Sequence, residues 1–542
     1  YDFTEYSLTS MDFRATISYN ADLGKHGDHI ISLFGGGELN STDRQSTWFR
    51  GWGYQYNNGG EPYLDYRLFK QSQEENSMYF ANVFSYYRNL AFFGMATYSY
   101  KGRYTINGTI RYEGTNKLGK SRQARWLPTW NVSGAWNAHE ENWWQPTFGK
   151  AWSYASLKGS YSLTADRGPA GVTNSLAVFS SFTPWRPSTS AFESGIQLVD
   201  LENSELTYEK KHEFNAGFDA GFIDDRILFS MDAYTRNNFD LIGQVVTSGM
   251  GGVVNKYGNV ASMKSSGVEL SLTTKNFDRK DFKWTTNFIF SKMKNEVTDL
   301  KTTLRTIDYL TGSGYSMQGY PRGAMFSLQF MGLNDEGIPT FLNEKGELTS
   351  TSINFQGTGD SSFLKYEGTI DPTVTGSFGN IFKYKNFTLN VFMTYSFGNV
   401  VRLNPVFSNR YSDLTATPRE FADRFINPGD EKYTDIPVIA SARQNRDINN
   451  LYVAYSAYNY STARVAKGDF IRLKEISLSY DLPRKAVEKI KLSSLSFKLQ
   501  ATNLALLYSD KRLNGQDPEF FNSGGVAVPM PKQFTLTCRI GF

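Results

Sequence analysis

The last ten residues, Gln533 to Phe542, alternate apolar and polar positions without a slip. Phe534, Leu536, Cys538, Ile540 and Phe542 make one face, and Gln533, Thr535, Thr537, Arg539 and Gly541 make the other. A period of two with unlike faces predicts a β-strand between two different environments. The stretch ends on an aromatic residue, whereas soluble domains usually let their termini fray in polar residues. Taken alone it fits a core strand of a soluble sandwich or the closing strand of a membrane barrel.

The same alternation recurs along the chain. Met11–Asp22 and Asp28–Leu39 read as strands joined by a tight turn at Gly24–Gly27. Further strands are predicted at 90–100, 104–113, 126–138, 151–164, 213–222 and 227–233, the last two joined through Asp224-Asp225. Others follow at 268–273, 282–290, 387–397, 469–482, 495–501 and 533–542, and Asn334–Gly337 marks a turn before a short strand. In 469–482 the apolar phase slips between Leu473 and Ile476, which predicts a β-bulge. The pattern amounts to about 17 strands of roughly ten residues, the length that crosses a bilayer when tilted.

Connections alternate short and long almost throughout. The long ones fall at 40–87, 114–125, 165–208, 237–262, 343–370, 399–468 and 508–532. If the carboxy terminus faces the periplasm, every short turn is periplasmic and every long loop is extracellular. That asymmetry belongs to outer-membrane barrels, and a soluble propeller has no reason to keep it. The expected fold is therefore an all-β, transmembrane antiparallel β-barrel.

Composition agrees. Aromatic residues make up 15%, with 33 Tyr and 41 Phe, while the mean hydropathy is −0.44. Many aromatics on a polar average suit strands with one face to lipid and one to water. No apolar run approaches a membrane helix. The 57 Lys+Arg nearly balance the 53 Asp+Glu, leaving +4 and no case for a nucleic-acid partner. A lone cysteine, Cys538, rules out an internal disulfide, and its apolar phase predicts a buried, inert thiol. The chain opens at Tyr1 in mid-pattern, as expected of part of a longer polypeptide.

Enzyme chemistry finds little support. No nucleophile-elbow, Walker or zincin spacing is present. The four histidines are His26, His29, His139 and His212; only His26 and His29, with Asp28, sit close enough to hold a surface metal. No cofactor is expected, and no His/Asp/Ser set converges at the extracellular rim as a barrel enzyme would need.

Several stretches resemble the SusC-like branch of TonB-dependent outer-membrane transporters. Lys467–Tyr480 (KGDFIRLKEISLSY), completed by Asp481-Leu482-Pro483, is similar to a late-strand signature of that family. Ala501-Thr502-Asn503-Leu504 resembles the strand end that follows it, and Ser266-Gly267-Val268-Glu269 resembles a strand shared by TonB-dependent receptors. Arg111-Tyr112-Glu113-Gly114, Leu127-Pro128-Thr129 and Ala135-Trp136 resemble another block. The likeness runs from about residue 90 to 542.

The resemblance implies a barrel of about 22 strands with a plugged lumen. Residues 1–542 would be its carboxy-terminal part, with the amino-terminal plug and first strands outside this chain. It implies energised import of oligosaccharides or oligopeptides, at the outer membrane of a Gram-negative, Bacteroidetes-like cell. The partners implied are the plug-containing fragment, a SusD-like surface lipoprotein, the TonB complex, membrane lipid and lipopolysaccharide. A transport-inactive assembly barrel of the same fold, or a barrel enzyme, stays open beside it.

Ligand or lid contacts would come from long-loop residues: Trp48, Trp52, Tyr54 and Tyr56, then Trp185 and Arg186, then Arg402, Arg410, Tyr411 and Asp413. The rival role for them is an interfacial girdle. Arg111, Glu113, Glu213, Asp219 and Glu269 fall on polar phases and would line the lumen or grip the plug. Tyr452, Tyr455, Tyr458 and Tyr460 are expected in an outer aromatic belt, and Phe542 as an insertion signal.

Overall fold

The computed structural model describes residues 2–542 apart from 25–26, 53, 58, 63–64, 76, 78, 119–124, 150, 169–176, 183–194, 248, 250–254, 302–303, 312, 359–360, 413–416 and 522–530. Fifteen strands form one sheet in sequential order. They are β1 (Asp2–Leu23), β2 (His29–Arg50), β3 (Phe80–Tyr100), β4 (Tyr104–Thr115), β5 (Trp126–Asn137), β6 (Trp152–Asp166), β7 (Glu209–Phe222), β8 (Ile227–Val246), β9 (Asn255–Asp278), β10 (Phe282–Leu300), β11 (Val374–Tyr384), β12 (Phe387–Phe397), β13 (Phe470–Asp481), β14 (Ser494–Ser509) and β15 (Gln533–Gly541). Short and long connections alternate over much of the sheet, but 138–151 between β5 and β6 is longer than 116–125 between β4 and β5, and the long loop expected at 237–262 is mostly strand, with only 247–254 between β8 and β9. The strand total is lower than expected, for a simple reason. Short alternating runs such as Phe330–Leu333 and Pro339–Leu342 build a separate three-stranded sheet within a long connection.

Two compact units are distinguished: 1–140 with 158–215 and 236–262, and 141–157 with 216–235 and 263–542. In the first, the ladder registers sort the side chains into two faces. One face carries the cross-strand row His29–Tyr100–Tyr104–Trp136, then Ile31–Tyr98–Ile106, then Leu33–Ala96–Gly108–Val132, then Gly37–Phe92–Tyr112. Aromatic rows thus bracket an aliphatic band, the pattern of a lipid-facing surface. The opposite face carries Asn20–Ser32–Thr97–Asn107–Ser133 and Thr16–Gly36–Phe93–Arg111–Thr129. Gly36 is required there, because a Cβ would lie 2.2 Å from the Ala15 carbonyl oxygen.

On β1 the apolar face runs from Leu23 to Met11, twelve steps or about 40 Å along the strand and about 30 Å across a membrane at a tilt near 40°. From that level the same face of β2 turns to Ser41, Asp43, Gln45 and Thr47 while pairing continues to Arg50. The expected insertion at 40–87 is therefore partly ladder. Its two ends extend β2 and β3, and only 51–79 form the connection.

In the second unit, Phe282–Tyr384–Phe387–Tyr480–Phe497 form an aromatic row beside the short turns. Next to it lies Trp284–Phe382–Leu389–Leu478–Leu499–Leu536. The bulge predicted in β13 is present: Phe392 pairs with Glu475 and Met393 with Leu473, leaving Lys474 as the extra residue. It lets Leu473 and Ile476 share the apolar face while Arg472 and Glu475 share the polar one. Asn503 is not at a strand end, as the resemblance implied. It lies inside β14 across from this bulge, at φ 54°, a conformation asparagine tolerates better than most residues. Cys538 is exposed rather than buried, since β15 has a sheet neighbour on one side and its apolar face is open. Among the described residues, β1 pairs only with β2 and β15 only with β14.

Candidate functional site

The connections 301–373 and 398–469 carry only short strands, yet they build the largest core of the second unit. Helix α1 (Leu451–Asn459) is apolar on nearly every side, so it has to be buried. Its Tyr455 and Tyr458 are enclosed by Phe326, Leu328, Phe341, Phe407 and Phe421. The Tyr455 hydroxyl donates to the Val438 carbonyl at 2.6 Å. Asn459 accepts from the Phe407 N–H at 3.1 Å and donates to the Phe407 carbonyl at 2.8 Å, stitching helix to loop. Burial pushes both phenols well above the ordinary tyrosine range. These two tyrosines are core residues and not the interfacial belt expected of them; Tyr452 alone of that pair's helix neighbours is largely exposed. Tyr455→Phe is expected to cost about 1 kcal/mol, the net worth of one buried hydrogen bond, read as faster proteolysis of this loop layer in folded protein.

Three buried arginines tie the layer together. Arg402 donates to the Phe326 carbonyl at 2.5 Å, to Ser327 Oγ at 3.1 Å and to the Ser461 carbonyl at 3.3 Å. Burial lowers its pKa to about 10, and among the described residues no carboxylate is bonded to it. Arg464, 3% exposed, meets Glu420 through two contacts of 2.8 Å. It also donates to the Asn404 carbonyl at 3.2 Å and lies 4.8 Å from the Phe407 ring centroid. Arg472, on the polar face of β13, reaches Asp517 at 2.5 Å and Glu519 at 2.7 Å in the connection between β14 and β15.

Beside the Arg464–Glu420 pair opens a cleft of about 600 Å³, lined among others by Phe330, Tyr458, Asp435, Lys511 and Arg512. Aromatic edges and charges of both signs suit reversible capture of a polar, extended ligand. Among the described residues, no group of three His, Cys, Asp or Glu could hold a metal. His26, part of the metal site weighed from the sequence, lies outside them.

The sequence-derived candidates are distributed as follows. Trp48 ends β2, not a loop, and with Trp52 brackets the Arg50 guanidinium at 5.2 and 5.4 Å, itself bonded to Asp2 at 2.6 Å. Tyr54 and Tyr56 meet edge to face at 4.7 Å. Arg402 is enclosed by the loop layer's own carbonyls. Arg410 is exposed, whereas Tyr411 packs on Phe421 and accepts from the Ser408 N–H at 2.8 Å. Trp185, Arg186 and Asp413 lie outside the described residues.

Arg111 does not wait for a distant partner: it pairs with Glu113 at 2.6 Å and with Glu38 across the ladder. Glu213 is held by Lys211 at 2.7 Å and Arg236 at 3.1 Å, and Asp219 accepts from Ser230 at 2.6 Å. Glu269 is exposed.

Arg464, Glu420, Asp517 and Glu519 carry no signal in the sequence, since partners 44 to 47 residues apart leave no periodic mark. Arg472 had a signal, being the arginine in the KGDFIRLKE stretch.

Residues 1–409 match the family model described as TonB dependent receptor-like, beta-barrel. TonB-dependent receptor P26 of Formosa agariphila is 24% identical over 97% of this chain and 52% of its own length. TonB-dependent receptor P3 of the same organism is 25% identical over 79% of this chain and 41% of its own. TonB-dependent receptor SusC of Bacteroides thetaiotaomicron is 24% identical over 55% and 28%. A solved structure of the RagAB peptide transporter superposes on all of this chain and 56% of that one, with a TM-score of 0.76 at 20% identity. The chain spans about half or less of the length of these relatives.

Proposed function

The chain belongs to the TonB dependent receptor-like β-barrel family, and on that premise we propose that it is the carboxy-terminal part of a SusC-like barrel that imports oligosaccharides or oligopeptides across the outer membrane. The observation that carries this reading is the two-faced sheet of fifteen strands topped by a packed loop layer. A bare channel has no use for such a layer, and connections longer than about a dozen residues are usually functional. The cleft beside Arg464 and Glu420 is the place for first contact with the ligand, and the loop layer around it is the docking surface for a SusD-like lipoprotein. Aromatic rows toward both ends of the strands fit lipid and lipopolysaccharide at the membrane surfaces. The relatives from Formosa and Bacteroides support a Bacteroidetes-like cell.

The free edges of β1 and β15 support a further strand set carried with the plug, because an unpaired ladder edge in hydrocarbon is very costly. Energy would reach the transporter through a TonB-contacting segment of that same fragment.

Phe542, 96% exposed beyond β15, fits an insertion signal; Phe542→Asp is expected to lower outer-membrane levels severalfold on blots of membrane fractions, and unchanged levels overturn that role.

The function is tested in the source cell. Deleting the gene should abolish uptake of a defined glycan or peptide pool, as should a protonophore added to the parent. Uptake that survives both treatments overturns the import reading.

A further inference from the structure

The short-turn end of the second unit has a charge pattern that the import reading does not use. Three neighbouring short turns, each taken with adjoining strand residues as 275–283, 383–385 and 481–491, carry two more basic than acidic residues apiece. Two of the acids are engaged locally, Asp278 with Lys283 at 2.6 Å and Glu488 with Arg484 at 3.0 Å. Lys280, Lys385, Lys485, Lys489 and Lys491 are exposed and have no ion-pair partner among the described residues.

Their level in the fold is set by the ladder. They lie immediately beyond the aromatic row Phe282–Tyr384–Phe387–Tyr480–Phe497, where the apolar rows end. The ammonium of Lys385 stands 5.4 Å from the Tyr384 ring centroid, so the charge adjoins the aromatic belt itself. Exposed Ile490, between two of the lysines, adds an apolar contact at the same level. Where lipid-facing rows end, lipid headgroups begin, and aromatic rings mark that boundary. Lysines held there without acidic partners find their counter-charge in phosphate, and a zwitterionic headgroup offers no net attraction.

We propose that this rim binds the headgroups of anionic phospholipids in the leaflet that faces the short turns. The proposal rests on the membrane-barrel reading above.

The test uses the complex purified from native membranes in mild detergent, delipidated and then offered equal phosphatidylglycerol and phosphatidylethanolamine. Bound lipid is counted by native mass spectrometry. The parent should retain phosphatidylglycerol over phosphatidylethanolamine by at least about tenfold. The variant K385Q/K485Q/K489Q/K491Q should lose most of that preference, and the milder K280Q/K385Q part of it. K345Q/K432Q, altered in the long connections, should keep it. Equal retention of the two lipids by the parent overturns the proposal, as does an undiminished preference in the quadruple variant. Binding to isolated peptidoglycan that replaces the lipid preference also overturns it. Heat-modifiable migration of each variant on gels reports folding. A parent that is not heat-modifiable and stays soluble without detergent overturns the barrel reading itself; a heat-modifiable parent without lipid preference overturns this proposal alone.

Discussion

Ile476→Arg keeps the chain from reaching the membrane in folded form, and Leu473→Arg does the same. Both side chains lie on the apolar face of β13, with Ile476 paired to Val391 and Leu473 to Met393. An arginine on a lipid-facing position near the bilayer midplane costs about 2–4 kcal/mol, a drop in the folded population of roughly thirtyfold to nearly a thousandfold. Gln500→Arg, by contrast, should assemble normally. Gln500 lies on the polar face of β14 and donates to Glu475 at 3.0 Å, so an arginine there gains a partner. The spacing of the damaging positions is the informative result. A regular strand repeats its face every two residues, whereas the extra residue at Lys474 puts two lipid-facing positions three apart. Amounts of heat-modifiable protein in outer-membrane fractions decide it. Normal assembly of Ile476→Arg together with failure of Gln500→Arg would reverse the assignment of the faces.

Arg464→Ala unlocks the loop layer of the second unit without dismantling its strands. The change leaves the Glu420 carboxylate, 22% exposed, without the guanidinium that it meets at 2.8 Å. Breaking a buried ion pair on one side typically costs 3–5 kcal/mol, mostly because the surviving charge is stranded. The expected readouts are protease cleavage within 398–469 of otherwise heat-modifiable protein and loss of ligand uptake. The double variant Arg464→Met with Glu420→Leu should recover most of the protease resistance, since an apolar pair of similar volume leaves no stranded charge. If uptake stays low in that double variant, the charges themselves contribute to ligand capture at the adjoining cleft. If Arg464→Ala is as resistant as the parent, the pair is not what holds the layer.

Local pattern carried the fold class. Alternation is written into a strand wherever its two faces meet different solvents, and here lipid and water differ as sharply as two solvents can. That is why the pairing of β1 with β2, the turn at Asp224-Asp225 and the slip between Leu473 and Ile476 all mark real features. The same reason explains where the reading fell short. From Ser41 the face of β2 that was apolar carries Ser41, Asp43, Gln45 and Thr47, so the alternation lapses while the ladder pairing continues to Arg50. Alternation therefore marks the end of the apolar band and not the end of the strand.

The sequence by itself determined the strand-and-turn alternation, the lipid and water faces, the bulge in β13 and the resemblance to SusC-like transporters. Tertiary structure alone decided the loop layer: that Tyr455 and Tyr458 form its core, that Arg402 is enclosed by carbonyls, and that Arg464 pairs with Glu420 and Arg472 with Asp517 and Glu519. A residue's face in a strand follows from its neighbours two positions away, so sequence can show it. A loop-layer partner is chosen by how two long connections pack together, and no local period records that choice.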